Sequence, residues 1–379
     1  MKIIHLTLGK EESEGGINSV IHSLNQEISG CSGAWINPKT KIDVLKNRVI
    51  NKLNRSISLP NFPFRIPQLT SLKYELRGNE KLILHIHKPQ LWEIGLKLGN
   101  KLNAKVILHA HVIDGFTGGC VLEQYCPNLS NACESCPILK KGFKFLASSG
   151  YKFRQSLLQK FKPHIIANSH ATYTAIKRSK ITAQLCNISI IEPSVNDKEF
   201  YPLNVDFKLK TIGFVAYSIE DKNKNFDDFY LAFLDLNNHQ DVKALVAGNV
   251  TEESKLKYSH PNLSFLGPQD KEDLCNFYNQ INTLVITSLS ESFGLTSVEA
   301  QYCGTPVVSY RNGGVPETIL ENVTGLISQT NSPESLVHAI KKSWPLKFTN
   351  EYQIKNHLNK YSSKTINKKY LKLYEDLIC

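Results

Sequence analysis

Ser288-Leu289-Ser290-Glu291-Ser292-Phe293-Gly294-Leu295-Thr296-Ser297-Val298-Glu299-Ala300 decides how this chain is read, together with Cys303-Gly304-Thr305-Pro306-Val307-Val308 and Arg311-Asn312-Gly313-Gly314-Val315-Pro316-Glu317 that follow it. Just upstream, Thr283-Leu284-Val285-Ile286-Thr287 is apolar and β-branched, the pattern of a short buried strand. Just downstream, Thr296 to Tyr302 predicts a helix opened by Thr296 or Ser297. Glu291 to Leu295 is then a strand-to-helix loop in which Gly294 lets the backbone come close to a ligand. Amides of Phe293, Gly294 and Leu295 at the helix N-terminus make a natural seat for a diphosphate. Glu291 is expected on the loop rim and Glu299 about one turn into the helix, so that two carboxylates grip hydroxyls of a sugar and a ribose on either side of the phosphates. The plainer alternative is an ordinary βα unit with exposed acids. Against it stands a second glycine loop, Gly313-Gly314 with Glu317, after the next apolar strand from Pro306 to Ser309.

Glu-x7-Glu with Phe-Gly-Leu inside it, followed by Glu299-Ala300, Gly304-Thr305-Pro306-Val307-Val308, Gly313-Gly314, Glu317 and Thr324-Gly325-Leu326, resembles the donor-site signature of the retaining glycosyltransferases of family 4. The resemblance implies an α/β protein of the GT-B fold, two Rossmann-like domains facing across a cleft. It also implies transfer of a sugar from a nucleotide-sugar, with Glu291 beside the donor sugar and Glu299 on the ribose hydroxyls.

The bulk numbers suit that organisation. A chain of 379 residues is too long for one core and fits two domains. Its 41% hydrophobic content is that of a soluble globular protein. No run approaches the roughly 18 apolar residues of a membrane span. A strand is expected from Lys2, which leaves no room for a signal peptide. Net charge is +11, a balance that suits nucleic acid, anionic lipid or phosphorylated substrates. No nucleic-acid module is present, so no nucleic-acid partner is expected. Nine cysteines, an odd number, without a secretion signal argue for reduced thiols in a cytoplasm.

In chain order, residues 1–192 read as the acceptor-side domain. The first strand leads to Gly9 and to Gly15-Gly16, then to a helical face of Val20, Ile21, Leu24 and Ile28. Gly-x-Gly-x-x-Gly is absent, which argues against a dinucleotide. Alone, a Gly-Gly pair is more often a turn than a site, but the resemblance implies a loop facing the interdomain cleft, which makes Gly15 and Gly16 candidates for donor binding. Residues 34–79, with Pro60, Pro63 and Pro67, read as loops and short helices. Two strands end in histidines, Lys81 to His87 and Ala104 to His111. Ligands of open α/β sheets sit at strand carboxyl ends, so His87, His109 and His111 fall near the expected site, although a histidine at a strand end is often structural.

Phe116-Thr117-Gly118-Gly119-Cys120, followed by Cys126, Cys133 and Cys136, resembles a subgroup of family 4 enzymes that build bacterial exopolysaccharide and O-antigen. Aligned on Thr-Gly-Gly-Cys, the family histidine is His111, the family aspartate is Val112 and the family tryptophan is Asp114. The resemblance implies a lipid-diphosphate-linked oligosaccharide as acceptor, and His111 orienting acceptor or donor hydroxyls. The cysteines read as an insertion over about residues 114–140. Their C-x5-C-x6-C-x2-C spacing either holds a structural zinc as four thiolates or makes a knot of small buried residues or labile thiols. Residues 140–162 mix lysines with Phe143, Phe145, Tyr151, Phe153 and Phe161. This stretch either lies in an anionic membrane interface or is a solvated helix packing its apolar side on the core.

Ile188 to Asn196 and Phe200-Tyr201-Pro202 resemble the family's interdomain crossing, which sets a boundary near residues 192–208. The donor domain is read over 208–360, and residues 361–379 as a C-terminal helix packing back on the first domain. Lys224-Asn225-Phe226 stands where the family has Lys-Gly-Phe, which implies Lys224 neutralising the donor diphosphate with Lys222 behind it. Leu263 to Gly267 resembles the strand whose end meets the nucleotide base. No Asp-x-Asp occurs, which argues against a metal-bridged diphosphate and for catalysis without a cofactor. Lys224 and the amides near Gly294 then stabilise the leaving group. The resemblance implies retention, and no carboxylate stands out as a nucleophile. Rival readings are a sugar-nucleotide epimerase or hydrolase on the same fold, a basic nucleic-acid binder, and a polysaccharide-binding scaffold. The expected setting is cytoplasmic, peripheral on the inner face of the plasma membrane.

Overall fold

A computed structural model describes residues 1–8, 21–22, 24–25, 28–36, 81–121, 126, 128–137, 139, 144–181, 187–203, 210–346 and 351–379. The chain divides into two units, Met1–Pro193 with Ile366–Cys379, and Ser194–Thr365.

The first unit contains β1 (Lys2–Leu8), β2 (Cys31–Ile36), β3 (Leu82–Ile86), α1 (Trp92–Leu102), β4 (Lys105–Ala110), α2 (Lys144–Phe161), β5 (His164–Ala167), α3 (His170–Arg178) and β6 (Ile188–Ile190). The strands form one parallel sheet in the order β2-β1-β3-β4-β5-β6. Parallel sheets are covered on both faces, and alternate residues sort between them. Leu84, Ile86, Leu108 and Ala110 share a core with Leu96 of α1 and with Tyr151, Leu157 and Leu158 of α2. Ile3, Ile83, Ile107 and Ile166 meet Ile366, Tyr370, Leu373 and Tyr374 of the C-terminal helix Ser363–Ile378. Lys369 Nζ, 2.6 Å from Glu192 Oε2, ties that helix to the same unit.

The second unit contains β7 (Lys210–Ser218), α4 (Phe226–His239), β8 (Val242–Asn249), α5 (Glu252–Lys257), β9 (Leu263–Gly267), α6 (Lys271–Asn279), β10 (Thr283–Ile286), α7 (Leu295–Tyr302), β11 (Val307–Ser309), α8 (Val315–Thr318), β12 (Gly325–Ile327), α9 (Pro333–Ser343) and α10 (Glu351–Asn359). Its parallel sheet runs β12-β11-β10-β7-β8-β9. From β7 the chain winds outward to β8 and β9; from β10 it winds the other way to β11 and β12. β7 and β10 are neighbours at the point of reversal, the position at whose carboxyl ends open α/β sheets bind their ligands. Phe214, Phe226, Phe229 and Phe233 fill one face. Phe277, Tyr278, Leu284, Phe293 and Val298 fill the other.

Some expectations are revised. β2 was not anticipated, because Cys31-Ser32-Gly33-Ala34-Trp35-Ile36 has little β-branched character. The helix after β10 opens at Leu295 with Gly294 as its N-cap, and no side chain caps it. Gly294 has φ +98°, a conformation in which glycine takes the place of the Thr296 or Ser297 cap. The Gly15-Gly16 loop and residues 37–79 lie outside the described residues. α2 turns Ala147, Tyr151, Leu157 and Leu158 into the core, with Leu146, Phe153 and Phe161 partly buried against it. Phe145 is 62% exposed. The apolar side of the basic aromatic stretch thus packs on the core. Among the described residues no helix is long and apolar enough to cross a membrane.

Candidate functional site

At the reversal between β7 and β10, three loops brace one another. Asn223, on the β7–α4 loop, acts as a clamp. Its Nδ2 donates to Ser290 O at 2.7 Å, its Oδ1 accepts from Ser290 N at 2.9 Å, and its own carbonyl accepts from Leu289 N at 2.7 Å. Thr287 Oγ1 donates to the carbonyls of Lys224 and Asn225, at 2.8 and 2.9 Å. These bonds fix the backbone that carries Lys224 against the backbone that carries Glu291.

The glycine pair of the β11–α8 loop presses on the same place. Gly314 N donates to Glu291 O at 2.7 Å. Gly313 has φ +63°, and a Cβ there would lie 1.9 Å from Glu291 O. A Cβ on Gly314 would lie 2.5 Å from Ser292 O. The pair is therefore required for a backbone-on-backbone contact that supports Glu291. Gly294 is held similarly, since a Cβ would come 2.7 Å from Val315 Cγ2. Asn312 adds a further bond from its Nδ2 to Ser288 O at 3.1 Å. Glu317 stands in α8, and its carbonyl accepts from Tyr361 Oη at 3.1 Å.

On this frame Lys224 Nζ lies 2.7 Å from Glu291 Oε2. Burial works to lower the Lys224 pKa, but the Glu291 carboxylate outweighs it and the net shift is upward, so the ammonium is secured. Among the described residues the amides of Phe293, Gly294 and Leu295 meet no protein acceptor, as expected at a helix N-terminus. The Phe293 side chain is buried in the core, edge-on to Tyr361, so this residue offers the site its backbone. Lys222 is exposed and unpaired among the described residues. Glu299 lies inside α7 and accepts from Tyr278 Oη at 2.8 Å. Desolvation lifts Glu299 to about 7, against the opposing pull of the Tyr278 hydrogen bond and of Lys271.

His111 follows β4 in the first unit and is half-buried. It shares a proton with His87, Nδ1 of His87 lying 2.8 Å from Nε2 of His111. Burial holds His87, His109 and His111 neutral, well below the usual imidazole range for His87 and His111 and at about 3 for His109. Asp114 is buried close to Lys88 and Arg154, and its charge favours their protonated forms. The Thr117-to-Cys120 segment is a structural tie. Thr117 Oγ1 accepts from Gly119 N and Cys120 N, and buried Arg154 donates to Thr117 O at 2.8 Å. Cys133 and Cys136 are buried, Cys120 and Cys126 half-buried, and Cys133 Sγ accepts from Gly118 N at 3.2 Å. Among the described residues, the groups of three or more ligand atoms within 4.8 Å of one another are all histidine. Zinc on all four thiols would require these sulfurs to draw together.

Asn223, Tyr278, His5 and His85 were not singled out in the sequence. An isolated asparagine or tyrosine carries no pattern. The histidines do carry one, since His85-x-His87 and His109-x-His111 repeat at the period of a strand face.

Residues 198–361 match the family model described as glycosyl transferases group 1, and they lie within the second unit. The D-inositol 3-phosphate glycosyltransferase of Corynebacterium jeikeium is 28% identical over 222 residues, covering 52% of this chain and 53% of the relative. The match thus spans about half the length of that relative. An enzyme of the same name from Mycolicibacterium smegmatis is 46% identical over 65 residues, covering 17% of this chain and 15% of the relative. Among solved structures, sucrose-phosphate synthase from Thermosynechococcus elongatus superposes with TM-score 0.71 at 17% identity, covering 100% of this chain and 99% of that one. HepE of Anabaena in complex with UDP and glucose gives TM-score 0.70 at 15% identity, covering 99% of this chain and 100% of that one. At such identities the likeness is one of fold: an α/β protein of the GT-B class, with two six-stranded parallel sheets.

Proposed function

We propose that this chain is a retaining glycosyltransferase that moves a hexose-type sugar from a UDP- or GDP-linked donor to a hydroxyl of a lipid-diphosphate-linked oligosaccharide. The observation that carries this reading is the junction of Lys224, Glu291 and the bare amides of Phe293, Gly294 and Leu295 where the second sheet reverses. An ammonium and a helix N-terminus together receive a dianionic diphosphate, and donors fixed before the reaction stabilise the charge that develops on the leaving group. Glu291 holds hydroxyls of the donor sugar and Glu299 those of the ribose. Lys222, exposed on the same loop, adds positive potential for the donor. His111, on the first unit, orients the reacting hydroxyl. The leaving phosphate serves as base in a front-face displacement, so no cofactor is needed for transfer.

The family match of the second unit supports the donor class, and the UDP and glucose named with HepE favour UDP-linked hexose. The Thr117-to-Cys120 motif supports the lipid-linked acceptor. The name of the curated relatives supports a second acceptor class, a phosphorylated polyol. An outward strip of α2, where Phe145, Lys152 and Lys160 are exposed, is the part of the chain proposed to touch anionic lipid. Thermal-shift screening of sugar nucleotides identifies the donor. Turnover is then measured with a lipid-diphosphate oligosaccharide and with an inositol phosphate. Transfer to either acceptor that disappears in Glu291→Ala supports the proposal; donor consumption unaffected by acceptor would instead indicate an epimerase or hydrolase.

A further inference from the structure

Five imidazoles crowd one face of the first sheet, and the donor chemistry uses only one of them. β1, β3 and β4 are neighbours, and His5 pairs with His85 in register. His85 and His87, and likewise His109 and His111, are two residues apart and so face the same side, the side covered by Tyr370 and Tyr374. His5, His85, His87 and His109 are at most 3% exposed. The rings stack, with centroids 3.8 Å apart for His109 and His111 and 4.4 Å for His85 and His87.

Hydrogen bonding in the cluster is uneven. His5 Nδ1 meets His87 Nε2 at 2.9 Å, His87 Nδ1 meets His111 Nε2 at 2.8 Å, and His85 Nδ1 meets Tyr374 Oη at 2.9 Å. His109, however, has neither ring nitrogen hydrogen-bonded. An unpaired buried polar atom is costly, a cost that an apolar residue filling the same space would not carry. Ring nitrogens of His87, His109 and His111, one from each, lie within 4.8 Å of one another. Three nitrogens about 2.0–2.1 Å from a tetrahedral zinc stand roughly 3.3 Å apart, so the rings complete the set by drawing inward and turning out of their stack, which aims their in-plane lone pairs at one point.

We propose that His87, His109 and His111 form a three-imidazole site for a borderline divalent cation such as Zn²⁺, with an oxygen ligand in the fourth position. The ion gives His109 the partner it lacks. His87 binds it through Nδ1 and keeps Nε2–H for His5 Nδ1, the outward hydrogen bond that commonly orients a metal-bound imidazole. Neutral imidazole is the ligand form, and burial favours it. Lys88 opposes a cation here, and Asp114 beside it offsets that charge. Imidazole ligands suit Zn²⁺, Co²⁺ and Ni²⁺ rather than Mg²⁺. The site stands apart from the donor reading, because metal binding is measured without a sugar nucleotide.

The test is titration of the chelator-treated full chain with Co²⁺ under a phosphine reductant, followed in the visible and near ultraviolet. Saturable d–d absorption at one equivalent, without sulfur-to-cobalt charge transfer, is expected. It should persist in Cys133→Ser/Cys136→Ser and vanish in His109→Phe. His111→Gln, at a half-buried position where folding is preserved and checked by circular dichroism, should weaken binding at least tenfold. Absence of saturable binding, charge-transfer bands lost with the cysteines, or unchanged binding in both folded histidine variants overturns the proposal.

Discussion

Lys224 and Glu291 are bound to each other, Nζ to Oε2 at 2.7 Å, although 67 residues separate them in sequence. Each rides on a loop leaving one of the two strands at the reversal of the second sheet, and Asn223 and Thr287 lock those loops together. In the proposed reading, the pair sets the diphosphate's countercharge and the sugar's hydroxyl acceptor side by side. Both side chains remain about a quarter exposed, at 27% and 22%, so the ion pair adds only about 0–1 kcal/mol to stability. Lys224→Ala is therefore expected to leave the melting temperature nearly unchanged while transfer falls roughly 10²–10³-fold, as when one oxyanion donor is removed. Calorimetry alongside steady-state turnover checks both halves; a large loss of stability with intact turnover would count against the assignment.

Gly313→Ala tests the support beneath Glu291. The new Cβ would meet Glu291 O at 1.9 Å, from a backbone with φ +63°. Strain of that kind costs about 1–3 kcal/mol, and the loop can relieve it only by moving Glu291. A lowered melting temperature together with weaker donor binding is expected, measured by thermal shift with and without sugar nucleotide.

Asn223→Ala removes two hydrogen bonds that join the β7–α4 and β10–α7 loops. It leaves Ser290 O and N to find other partners, at a cost of about 1–3 kcal/mol. Because Asn223 acts by placing Lys224 and Glu291, kcat should fall and Asn223→Asp should recover only part of it. Asp can still accept from Ser290 N but cannot donate to Ser290 O.

Glu299 gives the site a pH dependence. Burial raises its pKa from 4.5 to about 7, so the folded state holds a proton that the unfolded chain releases at lower pH. Stability from this group is fully present below 4.5 and is lost as pH rises through about 7. Ribose hydroxyls donate best to the ionised carboxylate, so donor affinity should increase over the same range. Glu299→Gln should flatten both trends, read as melting temperature and donor Kd from about pH 5 to about pH 8.

Much of the strand-and-loop frame around Glu291 was legible because its signals are local. Thr283 to Thr287 is a β-branched run, Gly294 needs a positive φ, and a glycine pair follows the next strand. What joins those segments was not legible. Nothing near Asn223 announces that it reaches Ser290, and the chemistry of a clamp lies in a contact between residues far apart in the chain. Glycines 313 and 314 read as ligand-facing, whereas their small size also serves a tight backbone contact. The basic aromatic stretch left two readings open because composition does not reveal which side of a helix is covered; burial of Tyr151, Leu157 and Leu158 supplies that. His5 joined the cluster unannounced, since a lone histidine within an apolar strand gives no hint that its neighbours across the sheet are histidines too.

Return of Ile366–Cys379 to the first unit bears on how the protein is made. Residues 194–365 form a contiguous run, whereas the face of Ile3, Ile83, Ile107 and Ile166 is covered by a helix that follows that run in the chain. Vectorial synthesis thus supplies the last part of the first unit only after the whole of the second has been made, against the usual order in which the N-terminal domain is complete earliest. Until translation delivers that helix, the nascent chain carries an uncovered sheet face on which isoleucines alternate with histidines.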